Sequence, residues 1–465
     1  MTRIGVLNVR GAMPHYEQLP FNVYVDKPGI IRKLDALILP PGTLVESQVL
    51  TRYDWIKREV WDFAENGGVI IGVCSGAQLL SRAVNLNVKG LPGYAEGLGI
   101  LDITFEPLIV TGPVKVRITN ETWITRDLLN TELHGWQAHT YGKANVETSN
   151  TWVVGVSLVS RYNYRNAKIE IPTLMVSRRY RVFGTMVHGL LGSGSPLTRN
   201  LFHEIGITDK GEIKNYYRVI NTNGWKRKRD AHVNPRIITI TSTMTGEGKT
   251  LITSALAYCL SRTGHYVGVA KLGGDIRDLH PGLYILGKPF KPWMSIRMRW
   301  GSRALGWFDW QRTLGKAVEI GLDTLLVEGV MGLLTGSSRR PKRGFSSTLD
   351  FIRQVNTDVV LIASAHYDGV EGALLRLRTN IDLLNKISKG PGVVVLNNAY
   401  HGIHEDRALR QFKTAINKLG ISLFVVDSLM ISSKPEELID LEDYRDSAIK
   451  VSGNLCDAFI NVLSK

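Results

Sequence analysis

The sequence predicts an α/β protein of two doubly wound domains joined by a basic linker. Three observations carry this expectation. Short apolar runs rich in Val and Ile alternate with helical patterns through both halves of the 465 residues, as layered folds with parallel sheets require. Two of these runs end in glycine-flanked turns that lead straight into a helix, one at Cys74 and one at Lys249. Between the halves, the composition turns polar over 207–234 and ends in GWKRKRDAHVNP, which marks a boundary. The domains are therefore placed at 1–206 and 235–465.

In the first half, IGVLNV, DALILP and GGVIIGV read as buried strands, and residues 47–65 read as an amphipathic helix. The Val-, Ile- and Thr-rich stretch from 101 to 182 adds further strands. The second half repeats the alternation with RIITITS, HYVGVAKL, DTLLVEG, DVVLIASA, GVVVLNN and SLFVVD. No repeat of fixed period and no low-complexity segment interrupts either series.

Composition narrows the class. A chain with 44% hydrophobic and 21% charged residues is of globular type. No apolar run reaches the roughly 18–20 residues that a membrane span needs. MTRIGVLNVRG lacks the order of a signal peptide, so a cytoplasmic enzyme is expected. Three cysteines are too few and too scattered for a disulfide framework or a zinc site, and Cys259 and Cys456 read as small buried hydrophobes. The net charge of +15 is uneven: 24 Lys and Arg stand against 19 Asp and Glu in 1–225, and 33 against 23 in the rest. Such a surface suits nucleic acid, an acidic membrane face or a polyanionic small substrate with its ATP, and a solvated basic surface accounts for most of the charges. No RNA-binding signature, zinc finger or helix-turn-helix points to nucleic acid.

GGVIIGVCSGAQLL is a strand running through Gly72-Val73-Cys74-Ser75-Gly76 into a helix, the pattern of a nucleophile elbow with cysteine at its tip. The helix N-terminus favours the thiolate, which is the nucleophilic form. LDALILPPGTL ends a strand in Pro41-Gly42-Thr43, a turn able to aim the Gly42 N–H at a developing oxyanion, with the Ser75 N–H as second donor. In RRYRVFGTMVHGLLGS, His188 follows a strand-like run and is the candidate base for Cys74.

RIITITSTMTGEGKT leads a strand through Thr243, Gly246, Gly248, Lys249 and Thr250 into a helix, a Walker-A loop with its leading glycine altered. Its N–H groups would cradle phosphates, with Lys249 on the β and γ oxygens and Thr250 on Mg²⁺. VAKLGGDIRDLHPG sets Lys271, Asp275 and Asp278 at a strand end, where α/β sheets bind ligands. Glu328, ending DTLLVE, would complete the Mg²⁺ shell. Asn397 is a candidate adenine contact.

These segments resemble two related families. The ILPPG turn, the elbow at 72–78, Gly135-Trp136-Gln137-Ala138-His139 and Gly184-Thr185-Met186-Val187-His188-Gly189 resemble, in order, a class I glutamine amidotransferase domain of the cobyric acid synthase type. Leu190 stands where many class I enzymes have a glutamate, which resembles the cobyric acid branch and implies a Cys–His dyad. Gln137 and Ser75 replace the usual glutamate and glycine. The P-loop, KLGGDIRDL and VEGVMGL resemble the ATP domain of cobyrinate a,c-diamide synthase, in the dethiobiotin synthetase superfamily. In the familiar synthases the ATP domain comes first; here the order is reversed.

The resemblance implies a glutamine-dependent, ATP- and Mg²⁺-driven amidation of carboxylates on a corrinoid or related tetrapyrrole, with an ammonia channel expected between the domains. Two other readings stay open. One is a regulatory or partition-type P-loop ATPase carrying a non-catalytic amidotransferase-like domain. The other is an amidotransferase acting on a different carboxylic acid.

Overall fold

The computed structural model describes residues 2–87, 93–147, 149–163, 165–217, 234–300, 303–336, 344–400, 407–428 and 441–463. The basic clusters at 226–229 and 339–343 lie outside these residues. The chain divides into two compact units, with Met1–Gly224 in the first and most of the remainder in the second.

Among the described residues, nine strands form the main sheet of the first unit. Five are parallel: Val23–Val25, Ile4–Leu7, Ala36–Leu39, Val69–Val73 and Val182–Thr185, in that spatial order. Ile4–Leu7, Ala36–Leu39 and Val69–Val73 are buried at every position, as strands covered on both faces must be. The sheet continues antiparallel through Arg165–Ser177, Thr151–Tyr162, Val110–Ile118 and Glu132–His139. Val110–Ile118 alternates buried and open positions, the signature of a strand with one wet face. The residues 47–65 form two helices, Val49–Arg52 and Asp54–Glu65, because Tyr53 leaves the helical region at φ −129°. The second of these buries Ile56, Val60, Phe63 and Ala64 on one stripe.

The stretch expected to open the linker at 207 instead stays with the first unit as far as Tyr217. Lys210–Tyr216 is helical, and Tyr216 and Tyr217 are buried. The Tyr216 hydroxyl donates to Thr2 O at 3.0 Å and the Tyr217 hydroxyl to Leu191 O at 2.7 Å. Two aromatic rings at the helix end outweigh the polarity of the residues before them.

The second unit holds seven parallel strands among its described residues. Their order is Ser295–Ile296, Val267–Leu272, Thr324–Glu328, Arg236–Ser242, Asp358–Ser364, Val393–Ala399 and Ser422–Asp427. The chain winds to one side of Arg236–Ser242 and then to the other, so the switch point falls at the strand that feeds the P-loop. Cys259 and Cys456 are joined as a disulfide with Cα atoms 5.4 Å apart, which corrects the expectation of two independent buried thiols. At a sequence separation of 197 nothing local announces the pairing. Cys74 is left free and buried. Among the described residues no helix is long and apolar enough to cross a membrane.

Candidate active site

The first site is built at the end of Val69–Val73. Cys74 sits between this strand and the helix Ser75–Leu80 at φ 51° and ψ −107°, a conformation that side-chain-bearing residues rarely adopt. The flanking glycines are a packing necessity. A Cβ on Gly76 would lie 2.0 Å from Leu39 O, and one on Gly72 would lie 2.6 Å from Gly76 O. The turn at Gly42 is equally tight, since a Cβ there would meet Gly11 O at 2.1 Å. It is held by Met13 N–H on Pro41 O and Thr43 N–H on Gly11 O, and neither bond uses the Gly42 N–H. Ser75, which stands where glycine is usual, ties this turn to the elbow, because its hydroxyl oxygen accepts the Leu44 N–H at 2.8 Å.

His188 lies in a buried cage. Its main chain exchanges hydrogen bonds with Trp136, whose ring stacks on the imidazole at 14° and 5.8 Å. Tyr16 meets the ring edge-on at 5.0 Å. Nδ1 is engaged by Glu17 Oε1 at 2.7 Å, and Glu17 Oε2 accepts the Gly189 N–H. Both side chains of the His188–Glu17 pair are 1% exposed. Among the described residues Nε2 makes no hydrogen bond. Burial alone would lower the His188 pKa, but the negative charges of Cys74 and Glu17 prevail and lift it from 6.5 to about 10.

The Cys–His dyad expected from Leu190 is therefore corrected to a Cys–His–Glu arrangement whose acid comes from the N-terminal loop. The signal was faint: Glu17 is the only acidic residue between Gly11 and Val25, in the apolar segment AMPHYEQLPF. Behind the site, Gln137 is fully buried with both amide atoms unpartnered among the described residues, and burial holds His139 neutral with its pKa lowered to about 3.

A raised folded-state pKa has a signed consequence. The contribution of His188 to stability is complete below about 6.5 and is lost as pH rises through about 10. An NMR titration of the His188 ring is expected to show imidazolium through neutrality; a midpoint near 6.5 would contradict the geometry.

The second site lies at the C-terminal end of Arg236–Ser242. Gly246 and Gly248 take φ of 77° and 90°, as the loop requires. Lys249 Nζ donates to Ser242 Oγ at 3.0 Å. Burial, then the neighbouring Lys271 charge, lower its pKa to about 8. Glu247, fully buried, accepts from Thr243 Oγ1, Met244 N, Ser364 N and Arg376 Nη2. Arg376 also donates to Thr243 Oγ1 at 3.1 Å, so an ion pair absent from the sequence expectations braces the loop.

Lys271 Nζ is held by Asp278 Oδ2 at 2.5 Å and Glu328 Oε1 at 2.8 Å, which keep it charged despite burial. Thr250 Oγ1 donates to the same Glu328 oxygen at 3.0 Å. Glu328 Oε2 is buried without a partner among the described residues, and burial raises the pKa of this carboxyl. Thr250 and Glu328 thus form an oxygen pair with one orphaned carboxylate atom, a donor set that fits Mg²⁺. Asp275 is clamped by Arg277 through two 3.0 Å contacts. Asn397, the candidate adenine contact, donates its amide to Glu247 O at 3.0 Å, and its buried Oδ1 has no partner among the described residues.

An elbow cysteine near a buried histidine is an arrangement suited to acyl-transfer chemistry, and the second unit carries a P-loop fold. Residues 15–196 match the family model of the CobB/CobQ-like glutamine amidotransferase domain. The chain is 29% identical over 175 residues to cobyric acid synthase of Thermoanaerobacter sp. (strain X514), covering 36% of this chain and 33% of that one. It is 28% identical over 209 residues to cobyric acid synthase of Caldanaerobacter subterraneus subsp. tengcongensis, covering 42% and 39%. The chain resembles the cobyric acid synthase family and spans about a third of the length of these relatives. Among solved structures, a glutamine amidotransferase aligns at 16% identity and TM-score 0.29, over 47% of this chain and 98% of its own. The MinD cell division protein of Aquifex aeolicus aligns at 15% identity and TM-score 0.33, over 50% and 98%.

Proposed function

We propose that this chain is a glutamine-dependent, ATP-driven ligase that converts carboxylates to amides on a corrinoid or related tetrapyrrole in the cytoplasm. The observation that carries the reading is the buried Cys74, His188 and Glu17 set in a chain that also holds a P-loop lysine. The Cys74 thiolate attacks the carboxamide carbon of glutamine, and the N–H groups of Gly42 and Ser75 receive the oxyanion. His188, protonated at neutral pH and steadied by Glu17, gives its Nε2 proton to the departing ammonia. Water then hydrolyses the thioester, releasing glutamate and restoring the thiolate–imidazolium pair.

In the second unit, Lys249 and the loop N–H groups hold the ATP phosphates. Mg²⁺ on Thr250 and Glu328 would offset phosphate charge. A substrate carboxylate takes the γ-phosphoryl group, ADP leaves, and ammonia displaces phosphate from the acyl phosphate to give the amide. In this reading Lys271 and Asp278, paired beside Glu328, orient the reacting carboxylate and phosphate.

The test is release of glutamate and ADP by the purified protein with ATP·Mg²⁺ and cobyrinic acid each added or omitted. Both products rising together only with the corrinoid is the expected result. Glutamate release indifferent to cobyrinic acid would keep the glutaminase chemistry and remove this acceptor. ADP formation that never responds to glutamine would favour the regulatory ATPase.

A further inference from the structure

A cavity of about 410 Å³ in the second unit lies against the segment that follows Ser295–Ile296. Resting on the ligase reading, we propose that it is the subsite for a second, non-reacting carboxylate of the acceptor, with Arg299 as its principal cation. Arg297 and Arg299 both line the cavity, while Met298 between them is fully buried, as alternation along an extended segment demands. Two cations brought side by side need an anion. Asp309 supplies one for Arg297, at 3.4 Å, and Trp307 O accepts a second bond from the same guanidinium. Arg299 is exposed, and among the described residues its guanidinium has neither a hydrogen-bond nor an ion-pair partner.

Among the described residues the cavity therefore keeps one uncompensated positive charge. Trp310 and Phe345 give it an apolar wall, and the first turn of the helix Trp310–Glu319 adds its positive end to the same field. A planar guanidinium beside aromatic rings, in a space much larger than a carboxylate, fits a carboxylate carried on a hydrocarbon framework.

Its position links it to the phosphate site. Gly273 follows Lys271 by two residues, and its N–H donates to Ile296 O at 2.9 Å. A Cβ on Gly273 would lie 3.7 Å from Val330, two residues after Glu328, and 4.0 Å from Met298 Sδ. One end of a polycarboxylate could thus be anchored at Arg299 while another reaches the rim of Lys271 and Glu328.

Calorimetric titration of the full chain with cobyrinate, and separately with tricarballylate, tests this in wild type, Arg299→Gln and Arg299→Lys. Cobyrinate is expected to bind wild type and to bind Arg299→Gln about tenfold or more weakly, the loss of one charge-assisted pair. Arg299→Lys should fall between them. Equal binding to wild type and Arg299→Gln overturns the subsite and leaves the ligase reading standing. Tricarballylate binding that is lost in Arg299→Gln, with no cobyrinate binding, upholds the subsite and removes the corrinoid. Binding of neither acid to wild type overturns the subsite, and the glutamate-release assay still judges the ligase separately.

Discussion

Glu17→Gln is expected to slow glutamine hydrolysis by ~10²–10⁴-fold, the range seen when the acid behind a catalytic histidine loses its charge. Cys74→Ala serves as the zero of the scale. The glutamine amide keeps the shape of the side chain but removes a charge that helps raise the His188 pKa to about 10. It can also present an N–H to Nδ1, which forces the ring into the wrong tautomer for proton transfer at Nε2. A role confined to packing would leave the ionisation of His188 where it was. The deciding readout is therefore the His188 ring titration, whose midpoint should fall in Glu17→Gln and recover in Glu17→Asp. An unchanged midpoint together with an unchanged rate would remove Glu17 from the site.

Under the proposed function, Lys249→Ala should abolish glutamine-coupled ADP release, with a loss of ~10²–10³-fold or more from removing the buried P-loop cation. Lys249 is 7% exposed and its ammonium is bonded to Ser242, while Glu328 keeps Lys271 and Thr250 as partners when Lys249 is removed. Circular dichroism should remain that of wild type. The separate chemistry at Cys74 gives the internal check, because alkylation by a glutamine-mimicking electrophile should persist in Lys249→Ala. ADP release that survives the substitution would remove the P-loop from the reaction.

The local features of both sites were readable because each is written in consecutive residues. The elbow at 72–78, the P-loop at 243–250 and the histidine at 188 each join a buried strand to a turn with a steric requirement for glycine or a small residue. The six strand runs of the second half all form strands, since apolar runs buried on both faces leave little ambiguity. What escaped was assembled by contact across the chain. Glu17 meets His188 over 171 residues, and Arg376 meets Glu247 over 129. A carboxylate in a loop has no periodicity to betray a buried partner. Asn397 was plain as a strand-end residue, but the support its amide gives the loop was not, since it depends on the close approach of Gly248, where a Cβ would stand 2.2 Å from Nδ2. Tyr216 and Tyr217 were hidden by the polar residues around them.

The conformation of Cys74 carries a consequence for any attempt to harden this protein. A residue held at φ 51° and ψ −107° is maintained against a local preference worth about 1–3 kcal/mol. Glycine would be at ease there, so the substitution that most relaxes the backbone is one that deletes the sulfur. The neighbours allow no compromise, because Gly76 lies under Leu39 O and Gly72 under Gly76 O. Selection for heat resistance and selection for keeping the Cys74 sulfur at the tip of this turn therefore pull in opposite directions, and thermal robustness has to be sought away from it.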